Sequence, residues 1–214
     1  MTNSILNKGI LAGVLLLLAG SGTANGQKPM FTFNQTARWN QPFPGDFDKA
    51  LFRSTLDVTD HHLTGMMLIK RTSDSSFRIN FSNEVGITFF DLEITDRKMT
   101  VITIFPDMDR KSLLSFLERD FRLLLFRDRT VRSMKTEDHC SSDSLIIYHV
   151  TSDWGKYDYT VHCGILALKG IDSAANGFKR TSLDFIYGEQ PIPLKINIKN
   201  PSIRLLLHLS LIGS

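Results

Sequence analysis

His139 beside Cys140 and His162 beside Cys163 bring together the only two cysteines of this 214-residue chain. The four side chains have the composition of a Cys₂His₂ metal site. Neighbouring residues of a strand point to opposite faces, so all four converge only with local distortion. The same residues also admit a Cys140–Cys163 disulfide or two free thiols. His61 and His62, close to Asp57 and Asp60, split across a strand in the same way and make a poor joint ligand pair. His149 and His162 flank the SDWGK turn with Tyr148, Tyr157 and Tyr159, and could meet across a hairpin as a polar cleft. No G-x-S-x-G, H-E-x-x-H, P-loop or C-x-x-C motif is present, and no nucleophile stands at a defined spacing from a base. These residues imply no reaction class, no cofactor and no metal.

The N-terminus bears on the cysteines. Lys8 precedes an apolar run over residues 10–19 and a small, polar stretch over residues 21–26, the three-part form of a secretory signal peptide. The run is too short for a comfortable transmembrane span. Cleavage after Ala24 or Gly26 leaves small residues at the specificity positions; an uncleaved anchor is the alternative. The expectation is a signal peptide over residues 1–26 and a single domain over residues 27–214, acting in a periplasm or otherwise outside the cytoplasm. An oxidising compartment favours the disulfide, which closes a loop of roughly 20 residues and contributes about 3 kcal/mol. The net charge of +3 is too small to imply nucleic acid.

Period-two patterning dominates the rest of the chain. SFRINFS sets Phe77, Ile79 and Phe81 against Arg78 and Asn80, and FFDLEIT sets Phe90, Leu92 and Ile94 against Asp91 and Glu93. TSLDFIYG repeats it with Leu183, Phe185 and Tyr187, and PLKINIKN with Leu194, Ile196 and Ile198. The last segment aligns Ile203, Leu205, Leu207, Leu209 and Leu211. Such alternation marks antiparallel strands with one buried and one wet face. Turn signals (DRK, DWGK, AANG) separate them. The count is about ten strands by these heuristics.

MTVITIF is apolar on both faces, which predicts a strand covered on both sides. Pro106 ends it, and Asp107 or Asp109 can cap the helix that follows. In that helix Leu113, Leu117, Phe121 and Leu124 form a stripe, widened by Leu114 and Leu125. Lys111, Ser115, Glu118 and Arg122 lie opposite, with Glu118 and Arg122 spaced as an i,i+4 pair. The fold class is therefore mainly β (α+β): a curved antiparallel sheet or incomplete barrel with one main amphipathic helix on its concave face.

This layout resembles the bacterial lipoprotein-localisation family of half-barrels, which comprises periplasmic carriers and outer-membrane receptors of lipoproteins. The similar stretch is LTGMMLIKRTSDSSFRINFSNEVGITFFDLEI plus the helix, and the matching positions are Gly65, Arg78, Gly86 and Leu92. The resemblance implies a hydrophobic cavity that receives acyl chains. Receptor-type members carry an acylated cysteine; no cysteine follows the apolar run here, so the soluble carrier type fits better.

Physical reasoning leads to the same cup without the family. Apolar ligand sites are concave and mostly hydrophobic, and each buried methylene contributes about 0.8 kcal/mol. Met67, Ile79, Phe81, Phe90, Leu92, Leu117 and Phe121 are the expected lining. Arg127, Arg129 and Arg132 gather after the helix, where they could touch an anionic membrane surface. The first functional reading is a non-catalytic extracytoplasmic protein holding a lipid, an acyl chain or a lipidated protein. The second is an envelope assembly or interaction protein with a filled core. A hydrolase whose site is built from distant residues stands third.

Overall fold

The computed structural model describes residues 40–127, 131–136, 144–152, 155–173 and 181–214. The proposed signal segment, His139, Cys140 and Arg129 lie outside the described residues. Strands β1 (Lys49–Val58), β2 (His61–Ser73), β3 (Ser76–Ser82), β4 (Thr88–Thr95) and β5 (Met99–Ile104) form an antiparallel meander. Helix α1 (Lys111–Leu124) follows. A second meander then runs through β6 (Val131–Thr136), β7 (Leu145–Ser152), β8 (Gly155–His162), β9 (Ala167–Ser173), β10 (Ser182–Tyr187), β11 (Pro193–Asn200) and β12 (Leu205–Gly213). The two join where β12 pairs with β1.

The result is one twelve-stranded sheet with β5 at one edge and β6 at the other, two strands beyond the sequence count. β6 escapes the period-two test because Val131 is its one buried residue among five others that are half-buried or exposed. Helix α1 connects the two edges. Laid flat, twelve strands would set those edges about 50 Å apart, whereas a 14-residue helix is only about 21 Å long. The sheet instead curls around the helix. Phe121 packs on Phe90 of β4 at 5.9 Å, and Phe126, just past the helix, lies 5.7 Å from Tyr159 of β8.

Local chemistry bends the sheet. A side chain at Gly65 would place its Cβ 2.1 Å from the Ser82 carbonyl oxygen, so only glycine lets the end of β3 cross so closely over β2. Gly86, at φ 90°, turns the β3–β4 hairpin in a conformation that side chains resist. Arg78 grips Asp91 on the next strand through two hydrogen bonds of 2.8 and 2.7 Å on the outer face.

Four expectations need correction. β5 is not covered on both sides: as an edge strand it leaves Val101 and Ile102 at 37% and 47% exposure. Neither Asp107 nor Asp109 caps α1. Residues from Pro106 make a 3-10 turn closed by the Asp109 N–H on the Pro106 carbonyl, so Arg110 becomes the cap position and has no side-chain bond. Arg122 does pair with Glu118 at 2.9 Å, but it is buried rather than solvated. His149 and His162 do not meet, because the β7–β8 register sets His149 opposite Asp158 (2.7 Å) and His162 opposite Leu145.

Candidate functional site

The seven expected cup residues do come together. Met67, Phe81 and Phe90 stand side by side on β2, β3 and β4, and Ile79 and Leu92 form the adjacent row. Leu117 and Phe121 of α1 face them, and all seven are 0–2% exposed within one core cluster. Helix α1 therefore covers this apolar face of the sheet. The later strands contribute to the same core. Ile196, Ile198 and Leu207 are buried on the later strands and follow the same alternation, whereas Ile171, also buried, sits in a β9 whose burial does not alternate.

Tyr148, Tyr157 and Tyr159 belong to this buried face, not to a polar cleft; Tyr148 lies opposite Tyr159 in the ladder. Tyr187 continues the inner row of Leu183 and Phe185 at the end of β10, with its ring 6.5 Å from that of Phe185. Its hydroxyl is buried and has no hydrogen-bond partner among the described residues. Burial pushes its phenol pKa up, so the group stays a proton donor.

Polar bonds hold the C-terminal half of α1. Arg122 donates to the Thr95 carbonyl at 2.8 Å and to Glu118, which also accepts from the Met99 N–H at 3.1 Å. These bonds tie the helix to the turn and strand at the β5 edge. On the other side Asp120 accepts from Asn200 Nδ2 at 3.1 Å, and Arg119 Nη2 donates to the Thr181 hydroxyl at 2.5 Å. Burial raises the Asp120 carboxyl pKa above its ordinary value, against the opposing pull of Asn200, Arg119 and Thr181. Sequence reasoning missed this clamp. Its partners are separated by 62 and 80 residues, and single polar residues at such distances carry no pattern.

The N-terminal half of α1 is held differently. Among the described residues, no side chain from Lys111 to Leu117 makes a hydrogen bond, and the buried contacts there come from Leu113 and Leu117. A small cleft of about 60 Å³ opens beside it, lined by Val58, His61, Met108, Leu113 and Ile203. At the opposite end of β1 and β11 lies a larger depression of about 360 Å³. Pro44, Phe47, Lys49, Gln190, Pro191 and Ile192 border it.

The arginine cluster is only partly a surface. Arg127 is turned inward, with its side chain 13% exposed, bonded to Asp96 at 3.2 Å and to the Asp74 carbonyl at 2.9 Å, over the Phe77 ring. It is thus unavailable to a membrane, whereas Arg132 is exposed on β6. His62 bonds Asp57 at 2.5 Å, on the face opposite His61. Among the described residues no three His, Cys, Asp or Glu side chains gather as a metal site, and no helix is long and apolar enough to cross a membrane. Cys163 is buried and is not a free thiol.

No protein-family model matches the chain, and neither does any curated protein. Among solved structures it is similar to a LolA superfamily protein from Nitrosomonas europaea, with 9% identity and a TM-score of 0.53 over 80% of this chain and 86% of that one. A domain described as an outer membrane lipoprotein-sorting protein, from Vibrio parahaemolyticus, aligns with 8% identity and a TM-score of 0.44 over 77% and 83% of the two chains. The open twelve-stranded sheet with its single covering helix is a LolA-like fold.

Proposed function

We propose that this protein is a non-catalytic, extracytoplasmic carrier that holds an acyl chain, as part of a lipid or of a lipidated protein, beneath α1. One observation carries the reading: the apolar face of an open sheet is covered by a single helix whose polar anchors all lie in its C-terminal half. A helix clamped at one end and held at the other by apolar side chains, Leu113 and Leu117 buried and Leu114 and Phe116 half-buried, can lift without breaking a buried polar bond. Lifting it opens the apolar face beneath Leu113 and Leu117 to a ligand, while Phe90 stays under Phe121 in the clamped half. Each methylene buried there contributes about 0.8 kcal/mol, so a long acyl chain offsets the contacts given up by those side chains.

The fold supports this reading by its likeness to a LolA superfamily protein, and the N-terminal signal pattern supports the location. The near-complete burial of the cup residues favours a second reading, an envelope assembly protein with a permanently filled core. Native mass spectrometry of the protein purified from an exported fraction separates the two. Extra mass that extracts as lipid supports the carrier. A bare mass that persists after incubation with phospholipids and lipopeptides selects the filled core.

A further inference from the structure

The outer face of the sheet, turned away from α1, carries an apolar band of its own. Residues that alternate with the buried ones of β1 and β2 point outward, and there Leu51 lies opposite Leu68, with Met66 beside it along β2. Ile212 of β12 extends the band past β1, alternating with Leu211, which packs on the core. Ile186 of β10 faces outward in the same way, and it and Ile212 are each 50% exposed. Single apolar residues are ordinary on a surface, whereas a band of them marks an interaction site.

Cations stand along both sides of this band. Arg53 and Lys195 both lie opposite Ser210 on one side; on the other Lys49 pairs with Lys70, and Lys70 with Arg78. All of these cations are exposed. Among the described residues Arg53, Lys70 and Lys195 have no ion pair. The carboxylates of this face are engaged or marginal. Asp91 is held by Arg78, Glu93 accepts from Ser76, Asp57 bonds His62, and Asp46 and Asp48 stand near Lys49. Asp184 precedes Ile186 by two residues, one step farther from the band. A hollow of about 320 Å³, lined by Leu68, Lys70, Arg78, Asn80 and Asp91, opens toward β4.

Two kinds of partner fit cations beside apolar side chains: an acidic protein and an anionic membrane. A protein interface gathers its apolar residues into a packed centre and keeps charges at the rim. Here the two kinds are interleaved, since Lys195 pairs with Ile186 and Arg53 with Met66 in the ladder. Interleaving suits the head-group layer of a bilayer, where phosphates meet the cations and aliphatic side chains reach the acyl boundary.

We propose that the outer face of β10–β12 and β1–β3 is a peripheral docking surface for an anionic phospholipid membrane, with Arg53, Lys70 and Lys195 at the head groups and Ile186 and Ile212 at the acyl boundary. Docking there leaves α1, on the inner face, free to move, and the surface stands independently of the acyl-carrier reading. It is also distinct from the arginines after the helix, where Arg127 is turned inward.

The test is co-sedimentation of the protein, purified from an exported fraction, with large phosphatidylcholine vesicles that contain either no phosphatidylglycerol or about one-third of it. The acidic vesicles should bind the protein much more strongly than the neutral ones, and binding should weaken with salt. Arg53→Gln, Lys70→Gln and Lys195→Gln should each lower the partition coefficient about fivefold, and all three together about a hundredfold. Ile212→Ser should lower it several-fold and leave the salt dependence unchanged. Arg132→Gln, on β6 at the far edge of the sheet, should have no effect. The substituted side chains are exposed, so circular dichroism should show unchanged melting. Equal partition of the triple variant and the natural protein overturns the proposal, as does equal binding to neutral and acidic vesicles. Binding to polyglutamate but to neither vesicle also overturns it and assigns the face to an acidic protein.

Discussion

Asp120 of α1 and Asn200 at the end of β11 are joined by a 3.1 Å hydrogen bond between two buried side chains 80 residues apart. The bond fastens the helix that leaves the β5 edge to a strand of the other meander. Removing it with Asn200→Ala leaves a buried carboxyl short of a donor. The expected loss is about 2 kcal/mol, or roughly 4–8 °C in melting temperature for a domain of this size, read by circular dichroism.

The same carboxyl makes stability depend on pH with a definite sign. Burial raises the folded-state pKa of Asp120 above 3.8, so the folded chain holds the proton more tightly than the unfolded one. Stability from this group is complete below pH 3.8 and is lost as pH rises through the folded value. The melting temperature of Asp120→Asn, minus that of the natural protein, should therefore increase with pH across that window and flatten above it. A difference that is the same at every pH would refute the assignment.

The two ends of α1 should respond differently to the same insult. Leu117→Asp puts a carboxylate in the half held by apolar contacts, where the helix can lift and expose it. The sheet should stay folded, with acyl binding lost. Phe121→Asp buries the charge against Phe90 in the clamped half, at a penalty of several kcal/mol, and should unfold the domain. Far-ultraviolet dichroism and urea melts distinguish them; equal unfolding by both would mean that α1 is an ordinary core helix.

Cys163 is buried beside the end of β8 and is not a free thiol. We expect it to be paired with Cys140. Intact mass spectrometry under non-reducing conditions should find the chain two hydrogens lighter than after reduction, with no cysteine open to alkylation. Cys163→Ser should lower stability by about 3 kcal/mol, and a dithiol should have a comparable effect on the natural protein.

Much of this protein was legible before its structure. Phe77, Ile79 and Phe81, or Leu205, Leu207 and Leu209, alternate because a strand turns every second side chain to the core, and the leucine stripe of α1 repeats at helical spacing. Those periodicities determined most of the strands, the helix and most of the apolar faces, but not β6, whose pattern is weak, nor the place of Leu194, which alternates with Ile196 and Ile198 yet is exposed because Pro193 takes the buried position. They could not say that β5 is an edge, since Val101 and Ile102 are apolar whether a neighbour covers them or water does. The tertiary structure decided that through the order of the sheet. It also decided the clamp at Asp120, Asn200, Arg119 and Thr181, and the stranded hydroxyl of Tyr187. Each depends on which distant residues a curled sheet brings within hydrogen-bond reach, and a local pattern carries no information about that.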